Sequence, residues 1–351
     1  MAIAFAHALA PRSSARRLPS LGFRPARSGT TATASFASAE QATVRLPHIP
    51  VLLAELSSFF PDGIDTFLDC TIGAGGHASH LLRHKRITQY VALDKDPNAL
   101  SIARSALRPF DNVRYARADF RDMRAVLDEL KVPEVNAVLM DIGTSSMQLD
   151  QAERGFSFTH DGPIDMRMSC TGMSARDILD TASERELAEL FWTLGEERQS
   201  RKIARVLVNE RERRPIESTK QLATLVERVK GWRKKGIHPA TQVFQALRIA
   251  TNDELAALEE GLLEAIEMAA PHATIAVISF HSLEDRIAKR VFRMAAERVG
   301  GVKLLTKKPV VAAEEECEKN PRARSAKLRV VEKLEPGQVP ISGKINKYRE
   351  R

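Results

Sequence analysis

The chain has 351 residues, 43% of them hydrophobic and 28% charged, and a formal net charge of +8. That balance suits a globular chain with one large domain plus an insertion, or two ordinary domains. No apolar run approaches the roughly 18 residues that a membrane-spanning helix needs, so no membrane partner is expected. Cys70, Cys170 and Cys317 form neither a CxxC pair nor a zinc-spaced cluster, which argues against a disulfide framework and a structural metal.

Residues 1–40 hold Arg12, Arg16, Arg17, Arg24 and Arg27, many Ser, Thr and Ala, and no acid before Glu40. Cationic, hydroxylated and acid-poor segments are what organelle import machinery reads, so this stretch suits a transit peptide. A basic arm that touches RNA is the alternative. The Met1-Ala2 start and the Ser/Thr-rich middle favour the chloroplast stroma. A short helix over Ile3 to Ala10 keeps the mitochondrion as the alternative compartment. Without the segment the net charge falls from +8 to +4, five arginines and one glutamate being removed. A polyanionic partner is then permitted by charge but not demanded. The remaining Lys and Arg crowd into residues 198–235 and 303–329.

From about residue 44, short apolar strands alternate with amphipathic helices. Thr66 to Asp69, Tyr90 to Asp94, Val113 to Phe120 and Ala137 to Asp141 read as four strands, with helices over Asp96 to Leu107 and Met123 to Leu130 between them. Such alternation implies a parallel sheet with right-handed crossovers. The rhythm stops between about 150 and 245. There Ser183-x-x-Glu186 and Ser218-x-x-Gln221 read as capping boxes that open helices. A long helix is expected from near Asn252, with Leu255, Leu258, Leu262 and Ile266 on one face. Thr274 to Phe280 reads as a strand that rejoins the sheet, and Val302 to Leu334 supplies two more around a polar loop at 313–325. The expected division is 44–149 as the first part of an α/β domain, 150–245 as a helical insert that binds RNA, 246–338 as the second part, and 339–351 as a basic tail.

The chemistry begins at the turn after the first strand, where Asp69 is followed by Gly73-x-Gly75-Gly76-His77 and then a helix. Glycines let the backbone turn tightly and approach a ligand, and the helix N-terminus aims N–H groups at it. Alone, such a turn also suits dinucleotide binders or a plain strand–helix junction. Asp94 follows Gly73 by 21 residues and ends the second strand, where an acid can accept hydrogen bonds from both hydroxyls of an adenosine ribose. Asp94 or Asp96 equally suits a helix cap. Asp119-Phe120 at the third strand suits an acid and a ring flanking a base, though Phe120 also suits the core. Asp141-Ile142-Gly143-Thr144 follows the fourth strand. In open parallel sheets ligands sit outside the carboxyl ends of the strands, so four successive acids there, Asp69, Asp94, Asp119 and Asp141, read as a nucleoside pocket.

These residues, with several longer segments, resemble the bacterial small-subunit ribosomal RNA methyltransferase H family. The matching segments are His48 to Leu53, Gly73 to His77, Glu153 to Phe158, Asp161 to Met168, Gly195 to Arg198, His238 to Thr241, Phe244 to Ile249, Ile278 to Arg286 and Asn320 to Ser325. They run from about residue 48 to 334. Cys70 stands where bacterial relatives often carry glycine, and the stretch from Arg286 to Asn320 is shorter than in some of them. The resemblance implies an α/β class I methyltransferase fold, Rossmann-like, with an inserted all-helical domain. It implies S-adenosylmethionine as cofactor, held by Gly75, Gly76, His77, Asp94, Phe120, Asp141 and Gln148. It also implies N4-methylation of a cytidine in the decoding region of small-subunit rRNA, and hence the small ribosomal subunit as partner. Arg167, His238, Arg248, His281, Arg286, Arg322 and Arg324 are the candidate RNA contacts, each with an alternative inside the fold: a carboxylate partner for Arg248, a helix cap for His281.

Asp141 is the candidate nearest the chemistry. Cytosine N4 is a poor nucleophile because its lone pair is delocalised, and a nearby oxygen acceptor can localise it and take its proton. The Asn/Asp-Pro-Pro-aromatic loop that many amino methyltransferases use is not reproduced by Asp141 to Thr144. Two alternatives stand beside this function: methylation of another nucleic acid, and a ribosome-assembly factor that keeps the fold without catalysis.

Overall fold

Seven strands form one sheet in the order β3-β2-β1-β4-β5-β7-β6. They are β1 (Ile64–Asp69), β2 (Ile87–Asp94), β3 (Val113–Arg117), β4 (Val135–Asp141), β5 (Ala269–Ser279), β6 (Val302–Leu304) and β7 (Lys327–Lys333). Strands β1 to β5 pair in parallel, and β7 runs antiparallel between β5 and β6. The computed structural model describes residues 50–231 and 238–338. The transit-like segment, His48-Ile49, the end of the basic run at Lys234-Lys235 and the tail 339–351 lie outside the described residues.

Helix α1 (Leu53–Phe59) precedes β1, and α2 (Gly76–His84), α3 (Pro97–Ala106) and α4 (Met123–Glu129) join the first four strands. After β4 come α5 (Ser146–Asp150), α6 (Ala175–Thr181), α7 (Glu184–Gly195), α8 (Ser200–Arg213), α9 (Thr219–Lys230), α10 (Thr241–Asn252) and α11 (Glu254–Met268). Helix α12 (Ser282–Ala296) precedes β6, and α13 (Glu314–Lys319) precedes β7. No helix among the described residues is long and apolar enough to cross a membrane. The topology is that of a class I S-adenosylmethionine-dependent methyltransferase.

Helices cover both faces of the sheet, which is why the central strands are near-continuous apolar runs. One core holds Leu68, Val91, Val138 and Ile275 beneath Leu127, Leu262 and Phe292. The other holds Phe67, Tyr90, Leu139 and Ile278 beneath Leu56, Leu81 and Ala103. A third core lies in the stretch between β4 and β5, built chiefly on the helical residues Leu187, Phe191, Leu207, Leu222 and Phe244.

Local structure departs from the sequence expectations at four places. The third strand stops at Arg117, because Asp119 caps a 3-10 turn that starts at Phe120. The helix expected from near Asn252 is α11, which starts at Glu254 just after Asp253 with φ 49°. Helix α10 runs across the 245/246 junction. Ser218 caps α9 by accepting from the Gln221 amide, but Gln221 accepts in turn from Glu217, so the box does not close. Ser183 and Glu186 do form the full capping box. The polar loop at 313–325 contains α13 and a 3-10 turn, Pro321–Ser325.

Candidate functional site

Strand register separates the four acids into different depths. Asp69 lies opposite Leu139 of β4 and Ala92 of β2, so Asp141 and Asp94 each reach two residues further out along the strands. Asp69 is therefore 1% exposed and serves the fold: it accepts from the Tyr90 hydroxyl at 2.8 Å and from the Thr71 amide at 3.1 Å. Asp94 reaches the rim. Its Oδ2 accepts from the Gly73 amide at 3.0 Å and its Oδ1 from the Asp96 amide at 2.9 Å, which ties the turn after β1 to the turn after β2. Burial pushes the Asp94 carboxyl up to about 6 against those two amides. The helix cap itself is Asp96, which accepts from the Asn98 amide.

Asp141, at the tip of β4, borders both lobes of one cleft. The first lobe is lined by Gly73, Asp94, Lys95, Asp119, Phe120 and Gln148. The second is lined by Pro50, Gly76, His77, Arg248, Asn320 and Arg322. Thr71, Asp141, Gly143, Thr144 and Phe280 line both. The Asp141 amide donates to Thr71 Oγ1 at 2.7 Å. Its Oδ2 lies 3.5 Å from His77 Nδ1, and its Oδ1 is buried with no hydrogen-bond partner among the described residues. Burial first, and the negative Glu284 second, push the Asp141 carboxyl up to about 7.

Of the other expected cofactor residues, Gly76, Phe120 and Gln148 line the cleft and Gly75 does not. Gly75 caps α2 with φ 81° and backs onto Leu107; it turns the chain without lining the cleft. Gly76 lies under Pro50, whose ring carbon would stand 2.7 Å from an added Cβ. The Phe120 ring is seated on Gly261 of α11 and is 8% exposed while still lining the first lobe. Gln148 closes a capping box with Ser145 and donates to Asp96 at 2.8 Å, so its amide braces the cleft wall.

Of the seven expected RNA contacts, Arg248 and Arg322 line the cleft. Arg248 is half-buried and bidentate to Glu254, at 2.9 and 2.8 Å, with Glu284 3.7 Å away. Arg322 is half-buried and 3.6 Å from Asp150. The structure engages the others elsewhere. Arg167 grips Asp165, and Arg286 donates to Glu196 at 3.0 Å. His238 stacks on Phe158 and lies 2.6 Å from Glu227. His281 caps α12 and sits 3.0 Å from the fully buried Glu284. Arg324 is exposed. Sequence reasoning passed over the Thr71 hydroxyl and Glu284. A hydroxyl two residues after a strand-end acid is a usable signal for the first; nothing local signals the second.

The residues present fit S-adenosylmethionine. Gly73 and Gly143, at φ 52° and 117°, put side-chain-free backbone against the first lobe. Asp94 and Asp119 offer carboxylate acceptors there, and Asp141 Oδ1 is an acceptor without a donor.

Comparison with known proteins identifies a family that spans most of the chain. Residues 45–334 match the model of the MraW methylase family. The ribosomal RNA small subunit methyltransferase H of Deinococcus radiodurans is 48% identical over 287 residues, covering 82% of this chain and 89% of that protein. The protein of the same name from Carboxydothermus hydrogenoformans is 43% identical over 305 residues, covering 82% and 98%. A solved rRNA methylase from Streptococcus thermophilus overlays with a TM-score of 0.39 at 10% identity, covering 81% and 94%. By its match over residues 45–334, the chain belongs to the MraW methylase family.

Proposed function

We propose that this chain transfers a methyl group from S-adenosylmethionine to N4 of a cytidine in the decoding region of small-subunit rRNA. The observation that carries the proposal is the position of Asp141, which borders both lobes of the cleft and has one carboxylate oxygen without a hydrogen-bond partner among the described residues. S-Adenosylmethionine supplies an electrophilic methyl group and a neutral leaving thioether. Gly73, Asp94, Asp119 and Phe120 hold the nucleoside end in the first lobe. The target base leaves its stack and enters the second lobe, beside Phe280, Asn320 and Arg322. Asp141 then accepts a hydrogen bond from the N4 amino group, which localises the nitrogen lone pair toward the methyl carbon.

The names of the relatives support small-subunit rRNA as the acceptor. In this reading the helical stretch 150–245 is the RNA-binding part, set between the two parts of the α/β domain, 44–149 and 246–338. Its own core and the exposed Arg201, Lys202, Arg213 and Arg228 support that role. The acid-poor basic segment 1–40 supports delivery to an organelle, with the chloroplast preferred to the mitochondrion.

Side-by-side assays with small ribosomal subunits, bare rRNA and duplex DNA test the acceptor. Label from the cofactor is expected in small-subunit rRNA; label only in DNA contradicts the proposal. Calorimetric titration with S-adenosylmethionine separates an enzyme from an assembly factor that does not bind it.

A further inference from the structure

Methylation of an amino group releases one proton, and the cleft holds a second side chain placed to receive it. The tautomer of that side chain, His77, is fixed by geometry. Its Nε2 lies 3.0 Å from the carbonyl oxygen of Val51. A carbonyl only accepts, so Nε2 carries the hydrogen, and in the neutral ring Nδ1 presents a lone pair. That lone pair faces Asp141 Oδ2 at 3.5 Å, the outer limit of a hydrogen bond. Catalytic hydrogen bonds are often this long before substrate binds and tighten afterwards. A lone pair opposite a carboxylate is repulsive unless a proton lies between them.

We propose that the His77–Asp141 pair has room for one shared proton and reacts in its proton-free form, and that His77 is a positioning residue which takes from Asp141 the proton released by the acceptor nitrogen. This rests on the methyl-transfer reading above. The nitrogen lone pair forms the new N–C bond while the carbon–sulfur electron pair returns to sulfur. The N–H proton passes to an Asp141 oxygen and then to His77 Nδ1, which leaves an imidazolium with its Nε2–H still on the Val51 carbonyl. The Asp141 carboxylate is thereby restored, and the imidazolium gives its proton to water after product leaves.

The surroundings favour one proton on the pair. His77 is 8% exposed, and the Pro50 to Leu52 segment that covers it is tied down by the Leu52 amide donating to Glu316 Oε1 at 2.8 Å. Burial holds the imidazole below its usual range, with Asp69 and Glu316 pulling the other way. His80 lies on the same helix, its imidazole held below its usual range by burial, and Arg248 and Arg322 line the same lobe. On the other side, burial and Glu284 oppose the Asp141 charge, and Asp69 lies close enough to interact with it. Neither group favours standing charged alone, so the pair takes up one proton readily near neutral pH.

The experiment uses the full chain labelled with 15N in histidine, without cofactor or acceptor, titrated from about pH 5 to about pH 9 and read by NMR. The expected result is a neutral Nε2–H tautomer for His77 whose Nδ1 resonance moves in a single step near neutral pH. In Asp141→Asn that step is expected to vanish. An Nδ1–H tautomer, or an identical titration in Asp141→Asn, overturns the proposal, and the wild-type tautomer decides it even where a variant fails to fold. A kinetic readout follows with His77→Gln, which keeps a donor to the Val51 carbonyl but cannot carry the proton. Its kcat is expected to fall roughly 10- to 100-fold, and the rising limb of its pH–rate profile is expected to move. Wild-type kcat and pH profile in His77→Gln also overturn the proposal. The NMR titration needs no acceptor, so it stands or falls separately from the assignment of rRNA as substrate.

Discussion

The hydroxyl oxygen of Thr71 accepts a 2.7 Å hydrogen bond from the backbone amide of Asp141, joining the turn after β1 to the tip of β4. The side chain therefore sets the height of the acid that borders both lobes. Thr71→Val keeps the shape and removes the acceptor. Leaving that amide unpaired is expected to cost about 1–3 kcal/mol, with turnover falling more than cofactor affinity. Thr71→Ser is expected to keep both. Urea denaturation of the two variants checks the stability; a Val variant as stable as wild type would show that the bond does not hold the loop.

Asp141 also carries a pH-dependent cost. Burial pushes its carboxyl up from the ordinary 3.8 to about 7. The folded state thus binds this proton more tightly than the unfolded chain. The stabilisation is full below 3.8 and is lost as pH rises through about 7. Neutral asparagine escapes the loss. One pKa unit is about 1.4 kcal/mol, so the stability of Asp141→Asn relative to wild type is expected to rise by up to about 3 kcal/mol from about pH 5 to about pH 8. Turnover is expected to be lost while the cofactor still binds. Melting curves of both proteins at the two pH values check the trend, and parallel curves would falsify it.

The fold was most legible where burial leaves a pattern. Strands β1, β2, β4 and β5 are covered on both faces and read as apolar runs. Strand β3 is only half-buried and lies at the edge of the sheet, which blurs both its signal and its end. The start of α11 was legible from the apolar spacing after Asn252, and left-handed backbone at Asp253 lets Glu254 turn back onto Arg248. Within the site, strand-end acids were legible as a group, but their depth was not, because depth depends on the register that sinks Asp69 beneath Asp94 and Asp141. The same limit applies to cations. Arg154 donates to Asp96 across 58 residues, and Arg286 to Glu196 across 90, and no local pattern announces such partners.

Gly76 illustrates a constraint set by a distant segment. A methyl group here would meet the Pro50 ring at 2.7 Å, and a proline ring cannot swing aside. Gly76→Ala is expected to displace Pro50 to Leu52 and cost about 1–3 kcal/mol. Adding Pro50→Ala is expected to recover part of it. A double-mutant cycle measured by denaturation reads the coupling, and strictly additive losses would contradict the contact.

The two cleft arginines are expected to behave differently. Arg322 is half-buried at the second lobe, 3.6 Å from Asp150. Arg322→Ala is expected to weaken RNA binding and to lower the slope of log affinity against log salt by about 1, with little loss of stability. Arg248 faces the buried Glu254 and Glu284, which are 5% and 0% exposed. Arg248→Ala leaves those charges uncompensated and is expected to cost about 3–5 kcal/mol. Binding titrations at several salt concentrations, beside thermal melts, separate the two outcomes; a fully stable Arg248→Ala would show that the arginine is not the structural counter-charge.

The most direct test is mass spectrometry of nucleosides from small-subunit rRNA, comparing cells that carry this protein with cells that lack it. The expected result is N4-methylated cytidine at a decoding-region position, absent without the protein and restored by the wild type but not by Asp141→Asn. An unchanged methylation map of that rRNA in cells lacking the protein would contradict the assignment.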